Sequence, residues 1–136
     1  MLKVFFASHG NFASGIKSTA NILFGSSDKL TTFDAYVNDD LLTDKLDEFY
    51  QSVTKEDQVV LLSDLLGGSV NTQMVSYSTR ANTFLVAGVN LAFILELLSK
   101  ESVTEAELEE IAVMSREMLR VVKIEAEEAP ASEDFF

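Results

Sequence analysis

Two uninterrupted apolar runs, at residues 4–7 and 59–62, most constrain what this chain can fold into. A strand with one solvated face alternates apolar and polar residues, whereas an unbroken apolar run is typical of a strand buried on both faces. Strands of that kind occur mainly in parallel sheets that helices cover on both sides. The two runs therefore predict an α/β fold.

The segments around these runs alternate between strand and helix patterns. Two further strands are predicted at residues 30–36 and 83–87, and a short fifth one at residues 121–124. Helices are predicted over residues 12–24, 41–53, 70–80, 91–98 and 104–120. The order β-α-β-α-β-α-β-α-α-β favours an open sheet of four parallel strands with helices on both faces.

Several helix ends carry the residues that usually cap helices. Gly25 is a plausible C-cap of the first helix, and Asn38 or Asp39 can cap the second. Thr104 with Glu107 three residues later forms a capping-box pattern before the last helix.

The 136 residues are predicted to form one domain over residues 1–124, followed by an acidic tail over residues 125–136. The tail contains five acidic residues and no Lys or Arg, so we expect it to be solvated and flexible. The formal net charge of −12 argues against nucleic acid and anionic membranes as partners. The same charge would steer a basic protein partner towards the chain.

The chain contains no cysteine and only one histidine, so we expect no structural zinc site, no other metal site and no cofactor. The first apolar run is too short for the core of a signal peptide. No stretch approaches the roughly 20 apolar residues of a membrane span. We therefore expect a cytoplasmic protein.

Polar residues follow the two most buried strands. His9 ends the first strand, whereas Asp64 and the segment Gly67-Gly68-Ser69 follow the third. Functional groups of an open parallel sheet gather outside the carboxyl ends of its strands. If the first and third strands are neighbours, His9 and Asp64 face the same crevice.

These residue types suit phosphoryl chemistry. A histidine with one unprotonated ring nitrogen can attack phosphorus, and Asp64 accepting from Nδ1–H would leave Nε2 free to do so. Gly67 and Gly68 would let the backbone approach a phosphoryl group, with Ser69 and a helix N-terminus as donors. Each residue also has an ordinary structural explanation, so spacing alone indicates only a phosphate or anion site.

The segment Gly88-Val89-Asn90 follows the fourth strand. Either it contributes to the same rim, or Gly88 only serves a turn and Asn90 only caps the next helix.

Three motifs in this order resemble the IIA domain of the mannose family of the phosphoenolpyruvate:sugar phosphotransferase system (PTS). They are Ser8-His9-Gly10, the segment from Ser63 to Ser69, and Ala87-Gly88-Val89-Asn90-Leu91. The resemblance covers about residues 1–124 and implies a flavodoxin-like sheet. It implies that His9 is phosphorylated on Nε2 by phospho-HPr, that Asp64 orients His9, and that Gly67, Gly68 and Ser69 surround the phosphoryl group.

The resemblance also implies partners. The phosphoryl group would pass to a IIB component, and from there to sugar through the membrane IIC and IID components, which choose the sugar. Family members are typically homodimers in which a C-terminal strand pairs with the other subunit, and residues 121–124 occupy that place. Because the chain ends in an acidic tail rather than a fused domain, a separate IIB protein is expected.

One departure from the family pattern and three alternatives remain. Many members have proline after the serine, whereas this chain has Val70, which keeps its backbone N–H. The alternatives are the phosphotransfer subunit of a dihydroxyacetone kinase system, a regulatory binding module that has kept the fold, and an anion-binding flavodoxin-like domain. Exposed apolar residues beside His9, namely Phe12 and Leu66, are candidates for partner contact or for the core.

Overall fold

The computed structural model describes residues 1–124 and places the four predicted parallel strands in one sheet. The strands are β1 (Leu2–His9), β2 (Leu30–Ala35), β3 (Gln58–Ser63) and β4 (Thr83–Ala87). Their spatial order is β2-β1-β3-β4, and each neighbouring pair is parallel. The α/β, flavodoxin-like prediction is therefore confirmed, including the neighbouring first and third strands.

Five α-helices occur within residues 1–124. They are α1 (Phe12–Phe24), α2 (Leu42–Gln51), α3 (Ser69–Met74), α4 (Leu91–Leu98) and α5 (Glu105–Glu117), with a 3₁₀ turn at Val75–Tyr77. None of these helices has the length and apolar character needed to cross a membrane.

β1 is buried on both faces, as its sequence predicts. Phe5 and Phe6 are adjacent and each is at most 1 % exposed, yet they belong to different apolar clusters on opposite sides of the sheet. Phe6 packs in the cluster that includes α4 and α5, and Phe5 packs in the cluster that includes α2. Burying side chains of this size stabilises the fold by about 1.5–3 kcal/mol each, so β1 anchors both layers.

Three predicted helices end earlier than their sequence pattern suggests, and α2 does so by two residues, at Gln51. α3 ends at Met74, and the 3₁₀ turn follows it. In this turn the Tyr77 hydroxyl donates a hydrogen bond of 2.8 Å to Asp47 Oδ1 in α2. α5 ends at Glu117 instead of Arg120, and Leu119 beyond its end is 86 % exposed.

The predicted caps are partly confirmed. The capping box of Thr104 and Glu107 forms, and Asn90 Oδ1 accepts a hydrogen bond from Phe93 N–H at the start of α4. The cap predicted for α2 is wrong, because the N-cap is Leu41 and Asn38 Oδ1 accepts from Asp40 N–H instead. Asn38 thus stabilises the turn before the helix.

Residues 121–124 form no strand within the chain. Val121, Val122 and Ile124 are more than four-fifths exposed. A β-strand exists only when a neighbouring strand satisfies its backbone groups, and β4 is an edge strand whose outer side has no partner in residues 1–124. Pairing between subunits therefore stays a prediction, and the predicted acidic tail lies outside the described residues.

Asp57, which lies between α2 and β3, is a buried structural residue. Its side chain is 9 % exposed, and Oδ2 accepts from Thr54 N–H at 2.9 Å and lies 3.1 Å from Lys3 Nζ. The hydrogen bond from Thr54, followed by that from Lys3, holds the pKa of Asp57 well below its usual value. Asp57 therefore ties the start of β3 to β1.

We expect Asp57→Asn to lower the free energy of unfolding at neutral pH. We also expect the free energy of unfolding of this variant to fall less than that of the wild type as the pH decreases. A depressed pKa in the folded state stabilises the protein above the unfolded pKa of about 3.9, and this contribution fades as the pH falls below about 4. Urea unfolding between pH 7 and pH 3 measures the effect, with Asp28→Asn at an exposed position as the control. Parallel pH profiles for the two variants would contradict the assignment.

Candidate functional site

His9 and Asp64 meet at the carboxyl edge of the sheet. His9 is the last residue of β1, and Asp64 follows β3, which pairs with β1 in the register Ala7 opposite Ser63. Asp64 Oδ2 lies 2.8 Å from His9 N and 2.9 Å from His9 Nδ1. The structure therefore brings together the two residues that sequence reasoning paired.

The carboxylate of Asp64 is largely buried, with 13 % of its side chain exposed. Burial raises the pKa of Asp64, but the hydrogen bonds from His9 N–H and Nδ1 outweigh it, so the pKa lies below its usual value. An ionised carboxylate only accepts hydrogen bonds, so Nδ1 must carry the proton. Nε2 is then the unprotonated nitrogen of the neutral ring.

Asp64 Oδ1 is buried and has no hydrogen-bond partner among residues 1–124. The protein thus compensates the charge of this carboxylate mainly through Oδ2, where both contacts come from His9.

Ser69 and Gly68 border the free nitrogen. Ser69 Oγ lies 3.2 Å from His9 Nε2, and a Cβ added to Gly68 would lie 3.5 Å from His9 Cε1 and 3.3 Å from Leu65 Cβ. A side chain at position 68 would therefore be tight against Leu65 and in ordinary contact with the ring of His9. Ser69 is also the first residue of α3, and the first N–H groups of a helix have no acceptor within it.

Asn71 holds the loop between β3 and α3, a role that sequence reasoning missed. Its Nδ2 donates to Ser63 Oγ at 3.1 Å, and its Oδ1 accepts from Gly67 N–H at 3.1 Å. Gly67 has a φ of +75°, which glycine adopts readily. No pattern in the sequence pointed to Asn71, because an Asn near a helix start usually faces solvent.

Tyr36 is the second residue that the sequence did not single out. Its hydroxyl lies 2.7 Å from Ser69 Oγ, and the centroid of its ring lies 5.5 Å from that of His9. Sequence reasoning placed Tyr36 at the end of the second strand, where only the tertiary contacts reveal its proximity to His9.

The N-terminus of α1 is occupied by the protein's own side chains. Ser8 Oγ accepts from Ala13 N–H at 2.7 Å, and Asp34 Oδ1 accepts from Ser14 N–H at 3.0 Å. Two of the donors that follow His9 in the chain are thereby satisfied. These two N–H groups are therefore not available to a ligand at the site.

The segment after β4 serves structure. Gly88 N–H and Val89 N–H both donate to Ser63 O, at 3.0 and 3.3 Å, and Asn90 caps α4. Asn90 Nδ2 also donates to Ser115 O at 2.8 Å. Within residues 1–124 no hydrogen bond links this segment to His9, which favours the turn-and-cap interpretation.

Phe12 and Leu66, which the sequence left between core and surface, are exposed. Phe12 is 48 % exposed and Leu66 is 84 % exposed, and they lie within three residues of His9 and Asp64 respectively. The site is therefore open to solvent and has apolar side chains near it.

Comparison with known proteins points to one family. A family model described as "PTS system fructose IIA component" (EIIA-man) matches residues 3–116. The PTS system fructose-specific EIIA component of Bacillus subtilis (strain 168) is 26 % identical over 102 residues, which cover 73 % of this chain and 70 % of the relative.

Two solved structures are similar in both fold and sequence. One, from Klebsiella pneumoniae subsp. pneumoniae, is described as a candidate permease of the phosphoenolpyruvate-dependent sugar PTS. It has a TM-score of 0.80 and 28 % identity over 88 % of this chain and 90 % of its own. The other is the PTS IIA protein associated with the fucose utilization operon of Streptococcus pneumoniae, with a TM-score of 0.72 and 28 % identity over 88 % and 92 %.

We expect Asp64→Asn to change the tautomer of His9. An Asn side chain can donate or accept, so the preference for a proton on Nδ1 disappears. ¹⁵N NMR of the single histidine near pH 8 measures the protonation of each ring nitrogen, with Asp28→Asn as the control. A wild-type tautomer in Asp64→Asn would contradict the assigned role of the carboxylate.

Proposed function

Because this chain belongs to the EIIA-man family of PTS IIA components, we propose that it is a phosphocarrier in which His9 Nε2 takes a phosphoryl group from phospho-HPr and passes it to a separate IIB component. Membership of the family makes the chain a component of a sugar PTS. The observation that carries the proposed site is the hydrogen bond of 2.9 Å between Asp64 Oδ2 and His9 Nδ1.

The proposed reaction moves one phosphoryl group between nitrogen atoms. The Nε2 lone pair of His9 attacks phosphorus, the new P–N bond forms, and the bond to the donor breaks with its electron pair staying on the donor. The imidazole of His9 becomes positively charged in this step. Asp64 stabilises that charge, and the proton stays on Nδ1. Transfer to IIB runs the same steps with His9 as the leaving group.

The transferring phosphoryl group carries negative charge on three oxygens, which need hydrogen-bond donors. Ser69 Oγ lies 3.2 Å from Nε2 and can donate to one of them, and the first N–H groups of α3 can serve the others. Gly67 and Gly68 would keep the loop close to the phosphoryl group. Val70 retains an N–H in this turn, where many family members have proline.

The surface beside His9 suits protein partners. Phe12, Leu65 and Leu66 are about half to more than four-fifths exposed, and they provide an apolar surface next to the nucleophile. The net charge of −12 would attract a partner with a basic surface and raise the rate of encounter. We propose that HPr and IIB use this surface in turn, in the cytoplasm, with the membrane IIC and IID components acting downstream of IIB.

A homodimer is proposed on the open edge of β4. A groove of about 590 Å³ lies along this strand and α5, and it is lined by Leu85, Leu108 and Ala112 among others. Residues 121–124 carry three exposed apolar side chains and have no strand partner in the described chain. Pairing of this segment with β4 of a second subunit would cover both features.

We expect His9→Ala to abolish phosphorylation without unfolding the protein. The chain has no other histidine, and the side chain of His9 is 40 % exposed, so its loss leaves the apolar core intact. Incubation with phosphoenolpyruvate, Enzyme I and HPr followed by intact mass measures the transfer. The wild type should gain the mass of one phosphoryl group and lose it in acid.

Two outcomes of that experiment would contradict the proposal. Labelling of His9→Ala to the wild-type level would show that another residue accepts the phosphoryl group. An unlabelled wild type beside an active HPr control would favour a regulatory module that has kept the fold.

We expect a chain that ends at residue 120 to be monomeric, whereas one that ends at residue 124 stays dimeric. The two chains differ only in the segment proposed to pair with β4, which makes the longer one a matched control. Sedimentation velocity over a range of concentrations measures the difference. A dimer that persists without residues 121–124, or a monomeric full-length chain, would refute the pairing.

A further inference from the structure

Tyr36 holds a backbone conformation that is costly for its residue type. Its φ is +68°, in the left-handed region, and the only other non-glycine residue in residues 1–124 with positive φ is Asn82. Asn tolerates this region, whereas a bulky aromatic residue there is an outlier. The side chain of Tyr36 is 63 % exposed, so burial in the core does not compensate the cost. Strain of this kind at a site often reflects function.

The left-handed backbone conformation of Tyr36 places its side chain beside both His9 and Ser69. Ala35, the residue before it, lies opposite His9 in the β1–β2 register, and its carbonyl accepts from Gly10 N–H at 2.8 Å. The ring of Tyr36 lies 5.5 Å from the imidazole, centroid to centroid, with 37° between the planes. Its hydroxyl lies 2.7 Å from Ser69 Oγ.

The proton positions along this chain of contacts follow from Asp64. Because the carboxylate holds the proton on Nδ1, Nε2 accepts, and the Ser69 hydroxyl must donate to it. Ser69 has one proton, so its oxygen accepts from the Tyr36 hydroxyl. The direction is thus Tyr36 to Ser69 to His9, and each bond in such a chain polarises the next.

A phosphoryl group on Nε2 would change the acceptor of the hydrogen bond that the Ser69 hydroxyl donates. The new P–N bond uses the lone pair that Ser69 occupies, so the Ser69 hydroxyl must turn to a phosphoryl oxygen. Tyr36 keeps donating to Ser69 Oγ and fixes the direction of that hydroxyl. Its ring, beside the imidazole, covers one approach of water to the P–N bond.

We propose that Tyr36 is a positioning residue of the phosphoryl site, which orients the Ser69 hydroxyl and shields phosphorylated His9 from hydrolysis. This inference rests on the proposed function, since it names a further residue of the same site. The hydroxyl acts through Ser69 and the ring acts by covering His9, so the two parts can be separated by substitution.

The test compares Tyr36→Phe, Ser69→Ala and the double variant, with Tyr50→Phe as the matched control. Tyr50 also loses one hydroxyl hydrogen bond, to Thr83, but Thr83 begins β4 and so lies at the edge of the parallel sheet opposite to His9. The first readout is the ¹⁵N resonance of unphosphorylated Nε2, which needs no partner protein. We expect it to shift in Tyr36→Phe and Ser69→Ala, and to stay at the wild-type position in Tyr50→Phe.

The second readout is the lifetime of phosphohistidine after loading with phosphoramidate, a small phosphoryl donor. We expect Tyr36→Phe to shorten it by up to about tenfold, as for loss of one hydrogen bond between neutral groups. In the Ser69→Ala background, Tyr36→Phe should change the lifetime by less than about twofold, because the hydroxyl acts through Ser69. Tyr36→Ala, which also removes the ring, should shorten it further.

The outcomes separate this inference from the proposed function. A shifted Nε2 resonance and a shortened lifetime support the role of Tyr36 even if phospho-HPr fails to label the protein. A wild-type Nε2 resonance in Tyr36→Phe, or a lifetime within about twofold of wild type, would overturn it even if HPr labels His9 normally.

A further variant tests whether the strained backbone is maintained for the side chain. Tyr36→Gly relieves the left-handed conformation, so we expect it to unfold at no lower temperature than the wild type while its phosphohistidine hydrolyses faster. A lower unfolding temperature, or an unchanged lifetime, would show that Tyr36 serves the fold rather than the site.

Discussion

One oxygen atom of Asp64 fixes both the backbone and the side chain of His9. Oδ2 accepts from the His9 N–H and from Nδ1, at 2.8 and 2.9 Å, so the strand end and the ring are held by the same group. The arrangement requires the ends of β1 and β3 to be adjacent, which the parallel register provides. A shift of either strand by one residue would turn the side chains to the other face and separate the pair.

The strands can hold this geometry because apolar layers confine them from both sides. Phe5 and Phe6 point into separate clusters, so β1 cannot slide without disturbing both. The loop after β3 is fixed in turn by Asn71, which bonds to Ser63 and Gly67, and by the two N–H groups after β4 that donate to Ser63 O. Rigid strand ends and a fixed loop together keep Ser69 beside Nε2.

The hydrogen-bond donors around His9 form two groups, which are the backbone N–H groups at the start of α1 and the hydroxyls of Ser69 and Tyr36. At the start of α1, Ser8 and Asp34 accept from backbone N–H groups and so close that helix terminus with the protein's own oxygens. Beside the imidazole, the hydroxyls of Ser69 and Tyr36 form a chain of contacts that ends on Nε2. The two ring nitrogens therefore have different surroundings, because Nδ1 faces a carboxylate and Nε2 faces hydroxyls.

Much of the fold followed from the sequence, because unbroken apolar runs and helical periods report local structure and burial directly. Those patterns predicted the four strands, and the motifs at the strand ends identified His9, Asp64 and Ser69 as candidate site residues. The contacts of Tyr36 and Asn71 depended on the folded chain, because they join residues 33 and 8 positions apart whose types carry no motif. The sequence also predicted a strand at residues 121–124, but a strand forms only beside a partner, and within residues 1–124 that segment has none. Local patterns determine which elements form, whereas the hydrogen-bond chain at His9 depends on which side chains the tertiary structure brings within hydrogen-bonding distance.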